Sequence, residues 1–238
     1  MKSPSVDLRR GIAEFLIIVI GVLVALAVDR WNQSRDERVE ESEYLERLYE
    51  DVQADTATLS SILAGLKEKQ ESLELLADLP VDSPLAAPDT ADFLAALATG
   101  TNYGWIIPPL RTVTFEDLTS TGNLGLIRDA TVRASVIEYY QNALHRANRI
   151  ERRSTAYATT IYSLLPPGIL PQTVQSSGPA LDALAIDVAS IVDGLRSSDF
   201  QHQLAAERNY AAFAYNRLEV TRTEAIELMG LLQECLQR

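Results

Sequence analysis

Residues 11–31 read G-I-A-E-F-L-I-I-V-I-G-V-L-V-A-L-A-V-D-R-W, and the reading of this stretch decides what kind of body the rest of the chain must build. Residues 11–28 carry one charge, Glu14, and as a helix they reach ~27 Å, close to the ~30 Å hydrocarbon thickness of a bilayer. Arg9 and Arg10 stand at one end, where basic side chains reach the headgroups, and Trp31 stands at the other, where an interfacial aromatic belongs. The stretch is expected to be a transmembrane anchor from Gly11 to Trp31, preceded by a cytoplasmic tail of residues 1–10. Glu14 lies one turn inside the interface with Arg10 four residues before it, so its cost falls below the ~2.5–3.5 kcal/mol of a mid-bilayer charge. Intramembrane acids also mark partner contacts, which is the second reading of Glu14. Gly21 and Ala25 form a small-xxx-small pair that lets two helices approach closely.

A cleavable signal peptide is the rival reading. Lys2, Arg9 and Arg10 make a basic n-region, residues 15–24 an apolar core, and Ala25-Leu26-Ala27 an A-x-A site. Against it, no helix breaker separates the apolar run from Asp29, so the helix is expected to run on into the polar segment. Orientation is not decided by counting, because Lys2, Arg9 and Arg10 face Arg30, Arg35 and Arg38 across the span. A short basic amino end before a first span stays inside, and a long following domain is translocated whatever its charge. The expectation is a single-pass protein of the inner (cytoplasmic) membrane, with residues 32–238 periplasmic or otherwise extracytoplasmic.

The chain has 238 residues, 21 basic and 33 acidic; residues 1–28 hold three and two of these, leaving 18 and 31 beyond the anchor. That acidity argues against nucleic acid and anionic lipid surfaces as partners. With 47% hydrophobic residues in periodic positions the body is a folded one, not a disordered acidic tail. The lone cysteine, Cys235, excludes an internal disulfide and reads as a small, partly buried apolar residue, with an intermolecular disulfide as the other possibility.

Beyond the anchor, residues 40–77 contain no proline, and Leu45, Val52, Leu59, Leu66 and Leu73 recur every seven residues. The positions three residues later are Leu48, Asp55, Ile62, Lys69 and Leu76. Asp55 and Lys69 weaken a two-stranded coil, and they fit better as register-setting groups or edge positions of a wider bundle. Three prolines in residues 79–90 break the helix. Short helices are expected over about 90–98, capped by Asp89 or Thr90 and ended by Gly100, and over about 115–121, opened by Thr114 and Asp117 as a capping box. Gly122 is expected in a left-handed turn, followed by the apolar turn of Leu124, Leu126 and Ile127, with Asp129 capping the next helix. That helix is expected over 130–165, a further short one over 180–195, and a last one over 199–236 capped by Ser198 or Asp199, its Leu204, Ala211, Leu218, Ala225 and Leu232 again seven apart. No stretch alternates as a strand does. The fold class is all-α: an amino-terminal transmembrane helix continuing into an elongated antiparallel bundle with long coiled-coil-like helices.

Helix-turn-helix spacing between Phe115 and Asn142 reads as a tight packing corner, given the tether and the acidity. Arg146, Arg149, Arg152 and Arg153 form a stripe that is expected to meet either the acidic helix or a partner surface, or to be solvated. His145, His202 and Cys235 are too few for a zinc or iron–sulfur site, and Asp199-x-x-His202 has no second copy to build a di-iron centre. No nucleophile elbow, phosphate loop, dinucleotide fingerprint or kinase signature occurs. No cofactor and no catalytic residue is assigned, and the chain is expected not to be an enzyme.

The span running into Trp31-Asn32, the acidic helix with Tyr44-Leu45 and Leu48 up to Asp55, the run T-F-E-D-L-T-S-T-G-N-L-G-L-I over residues 114–127, and Tyr139-Tyr140 together resemble a bacterial family of unknown function. Its members look like small, uncleaved, single-span proteins with an all-helical domain, and the resemblance carries over no substrate, cofactor or catalytic residue. The expected function is a membrane-anchored interaction, accessory or scaffold subunit. Its partners would be the bilayer and either further copies of itself or another membrane protein. The alternative is a ligand-sensing module, with Tyr103 and Trp105 lining a pocket and a partner carrying the signal.

Overall fold

A computed structural model describes residues 5–78, 87–101, 110–153, 155–164 and 188–237. All regular elements among them are helical: α1 Ser5–Ala77, α2 Ala87–Gly100, α3 Val113–Ser120, a 3-10 turn Asn123–Leu126, α4 Ala130–Glu151, α5 Tyr157–Leu164, α6 Val188–Leu195 and α7 Ser198–Leu236. The all-α, elongated antiparallel architecture read from the sequence is the one observed.

Helix α1 is 73 residues long, ~110 Å of continuous helix. Nothing in residues 5–77 interrupts it, since the flanking prolines are Pro4 and Pro80. Gly11, expected to open the anchor, is no helix boundary. Six residues of the expected tail, 5–10, are already helical, because a glycine inside a helix weakens it by only ~1 kcal/mol and does not remove a hydrogen bond as proline does. At its other end the apolar segment runs into the bundle without a break. Both seams of α1 are buried from Leu45 to Leu76, Asp55 and Lys69 included. The seam of α7 is buried from Leu204 to Leu232, with Glu207, Ala214, Thr221 and Leu228 on its second row. The two long helices run antiparallel, since the early part of the body half of α1 meets the end of α7 and the late part meets its beginning.

The core divides into three successive layers along α1. Nearest the apolar end, Leu45, Leu48 and Val52 pack with Leu118, Ile127, Val136 and Tyr140 and with Ala225, Leu228 and Leu232. In the middle, Leu59, Ile62, Leu63 and Leu66 meet Ile150, Ala214 and Leu218. At the far end Leu73 and Leu76 meet Phe93 and Leu97 of α2, Tyr157 and Ile161 of α5, Ile191 of α6 and Phe200 and Leu204 of α7. Helix α2 passes so close to α5 that a Cβ on Gly100 would stand 2.6 Å from the Tyr157 hydroxyl oxygen, which is why its last residue has no side chain.

Several expected boundaries are corrected. Helix α2 starts at Ala87, before Asp89 and Thr90, because Pro88 fits a first turn whose N–H groups need no intrahelical partner. Helix α3 is preceded by Thr112, whose hydroxyl donates to Glu116 at 2.6 Å, while Thr114 is turned inward to α1. Helix α7 is capped by Ser197, whose hydroxyl oxygen accepts from the Phe200 N–H. The largest correction is the expected helix 130–165, which is interrupted between Glu151 and Tyr157. The Arg153 N–H donates back three residues to the Ile150 carbonyl, tightening and closing the last turn, and the Tyr210 hydroxyl reaches the same carbonyl at 3.4 Å. Other expectations hold: Gly122 has φ 77°, and Asp129 accepts from the N–H groups of Thr131 and Val132. Of the short helix expected over 180–195, residues 188–195 are helical and 180–187 lie outside the described residues, as do Tyr103 and Trp105.

Candidate functional site

The first candidate is the apolar end of α1. From Ile12 to Trp31 every side chain is exposed except the half-buried Val19, with Phe15 and Trp31 each 65% exposed, so this apolar surface faces away from the body's own core. This helix is long and apolar enough to cross a membrane. Of the expected anchor residues, Glu14, Ala25 and Trp31 are exposed on it, and a Cβ on Gly21 would meet nothing, so the small pair is open to a second helix. Gly11 is part of the same helix, and its surroundings lie outside what the structure describes.

The second candidate is a buried polar seam, built from α1 residues that a helical repeat would make apolar. Asp55, 1% exposed, accepts from the Arg111 backbone N–H at 2.9 Å and from the Tyr139 hydroxyl at 3.0 Å. One turn earlier Asp51 accepts from the Thr114 hydroxyl at 2.6 Å, and Tyr44 donates to Asp117 at 3.1 Å. Two acids and a phenol of α1 thus hold the whole of α3 and the segment entering it. Tyr140 lies against this group, stacked on Phe115 with ring centroids 4.6 Å apart and edge-on to Tyr139 at 5.0 Å. Burial raises the Asp55 carboxyl to about 6, against the lowering effect of its two hydrogen bonds. Burial likewise pushes both phenols up, helped by the nearby carboxylates. One turn beyond the middle layer, Lys69 pairs with Glu207 of α7, both out of solvent, and Glu207 also accepts from the Thr155 hydroxyl at the interruption between α4 and α5. Burial lowers the Lys69 ammonium, opposed by the Glu207 charge.

The arginines expected as one stripe are divided by the structure. Arg146 forks onto Glu224 of α7 with contacts of 2.5 and 2.6 Å and also reaches Thr221 at 3.3 Å. Arg153 lies 3.9 Å over the Phe213 ring. Arg149 and Arg152 are exposed. The stripe therefore meets α7 through the shielded Arg146 and through Arg153, itself exposed over Phe213, and leaves three of its four cations at the surface. His145, Asp199 and His202 are exposed, and among the described residues no three His, Cys, Asp or Glu side chains are placed to hold a metal. Cys235 is half-buried against the layer nearest the apolar segment. Between α4 and α7 lies a cavity of about 240 Å³ lined by Ser135, Tyr139 and three carboxylates, Glu138, Glu224 and Glu227, of which Glu224 is the one held by Arg146.

The turn after α3 carries a contact that sequence reading missed. Ile127 is fully buried, Leu126 half-buried, and Gly122 exposed in its left-handed turn. Arg128, the next residue, donates its backbone N–H to Glu41 at 2.6 Å, and its guanidinium reaches the Ser34 carbonyl at 3.3 Å and Glu37 at 3.4 Å. These partners are 87 to 94 residues apart in the chain, and no local pattern announces them.

No curated protein and no solved structure matches the chain. The model of a family described as "Family of unknown function (DUF6090)" matches residues 14–153, which take in most of the apolar stretch, the body half of α1, α3, the Gly122 turn and all of α4, and the chain belongs to that family.

Proposed function

We propose that the protein is a membrane-anchored, non-catalytic helical subunit whose body lies outside the cytoplasm and works by binding further copies of itself or another membrane protein. What carries the reading is the continuity of α1: an exposed apolar segment and the central core helix of the body are one uninterrupted helix. Such a helix fixes the body rigidly to its anchor, the arrangement that an accessory or scaffold subunit needs. The exposed Arg149, Arg152 and Arg153, with Arg146 held by Glu224 beside them, form the proposed partner surface in a body that is otherwise acidic. The charged side chains of the buried seam tie helices together, which supports a structural role for them.

Affinity purification of the full-length protein from its own membrane in mild detergent tests the proposal. A stoichiometric partner or a defined oligomer is the expected result, and a monomer that retains nothing speaks against it. Mass spectrometry of the amino end in the same sample distinguishes an intact anchor from a chain cut after Ala27. A monomer turns attention to the ligand-module alternative. A ligand of the folded body alone raises its melting temperature.

A further inference from the structure

Helix α1 is a ruler that places the body relative to the bilayer, and the α3–α4 connection can be located on it. Helix α3 runs toward the anchor, since Thr114 bonds Asp51 and Asp117 bonds Tyr44. Helix α4 runs back, with Tyr139 bonding Asp55. Among the described residues of α3 and α4, the connection between them, residues 120–128, is therefore the part nearest the apolar segment. Its position is fixed by Arg128, which grips α1 at Ser34, Glu37 and Glu41. Ser34 is only three residues past Trp31, ~5 Å along the helix axis, and Glu41 is ~15 Å past it. The headgroup layer beyond the hydrocarbon is itself ~5–8 Å deep on each side.

The composition of the connection fits that location. Residues 118–128, L-T-S-T-G-N-L-G-L-I-R, contain no acidic residue, although the body carries a net charge of −13. Thr121, Gly122 and Gly125 are exposed, and Arg128 pairs with Glu37 and Glu41 of α1. An acidic body held this close to a phospholipid surface needs its lowest point free of negative charge.

We propose that the uncharged turn of residues 120–126 is a second membrane contact, resting in the headgroup layer of the bilayer that residues 11–31 span. The body then sits on the surface instead of standing away on a free stalk. This rests on the anchor reading given above.

The test uses the full chain with Cys235→Ser, reconstituted into phosphatidylcholine vesicles. Single cysteines replace Asn32, Gly125 or Ser61, all exposed, and carry an environment-sensitive fluorophore. Thr121→Cys provides a second probe of the turn should the Gly125 variant lose helicity by circular dichroism. The quencher is a phospholipid with a nitroxide on its headgroup. Loss of emission at positions 32 and 125, with position 61 unaffected, is the expected result, because position 61 stands ~40 Å farther along α1 than Ser34. Quenching at 32 but not at 125 or 121 overturns the contact and leaves the anchor intact. Quenching at all positions overturns it in favour of a body lying flat on the bilayer. No quenching at 32 overturns the anchor reading, and the contact falls with it.

Discussion

Asp55 shows what a single misplaced polarity does in a helical core. It occupies a seam position, is out of solvent, and is pushed up to about 6 from 3.8 mainly by burial. The folded state therefore holds this proton more tightly than the unfolded chain. The contribution to stability is fully present below about pH 4 and is lost as pH rises through about 6, a change of about 3 kcal/mol for a shift near two units. Asp55→Asn should remove this component. In chemical unfolding at a series of pH values, the difference between parent and variant should fall across that window, and a difference that stays flat refutes the assignment. Lys69 and Glu207 are the opposite case, a pair in which each charge needs the other. Lys69→Met leaves Glu207 buried beside the Thr155 hydroxyl without its cation, and should cost about 3–5 kcal/mol. The double variant Lys69→Met/Glu207→Leu should recover most of the loss, because a packed apolar pair has no charge to desolvate. A double variant as unstable as the single one would show that the pair's value is not electrostatic.

At the level of elements, the packing of α4 on α7 combines an apolar seam with the fork of Arg146 on Glu224. Arg146 is largely shielded and Glu224 partly so, which places the pair between a screened surface bridge and a desolvated one. A double-mutant cycle with Arg146→Ala and Glu224→Ala should give a coupling of about 1–3 kcal/mol that shrinks as salt is added. Zero coupling would assign the contact to the surface class. The 3-10 turn works differently. Gly122 reverses the chain with a positive φ, Ile127 plugs the core, and Arg128 ties the reversal to α1, so that one short connection is fastened by backbone, apolar and charged contacts at once.

For the whole molecule, one helix carries two kinds of apolar surface. Residues 12–31 leave their apolar side chains exposed, Val19 partly so, and from Tyr44 to Leu76 the same helix buries its two apolar rows against the bundle. Full-length protein should stay with membranes through alkaline carbonate extraction, and residues 32–238 made without the amino-terminal segment should be soluble and strongly helical by circular dichroism. Release of the full-length chain by carbonate would overturn the anchor. A truncated chain without helical signal would show that the body needs α1 entire.

Much of this architecture is written in local spacing. The seven-residue rows of α1 and α7, the capping aspartate of α4 and the left-handed Gly122 follow from periodicity and backbone sterics, which a sequence carries position by position. The apolar stretch announces itself as ~27 Å of helix with a single charge, Glu14, long enough to cross a bilayer. What only the tertiary structure decided are the pairings. Asp55 and Lys69 break the pattern in the sequence without saying whether they face water or the core, and it is Arg111, Tyr139 and Glu207 from distant segments that make their burial tolerable. The interruption after Glu151 has no proline or glycine to foretell it; the Ile150 carbonyl at its edge accepts from the Arg153 N–H and also from the Tyr210 hydroxyl, 60 residues on. The arginine stripe looks uniform in the sequence because helical spacing says where side chains emerge, not what they meet, and α7 supplies Glu224 to Arg146 and Phe213 to Arg153. Local conformation is a property of neighbours in the chain, whereas the solvation of a charge depends on which remote segment arrives beside it.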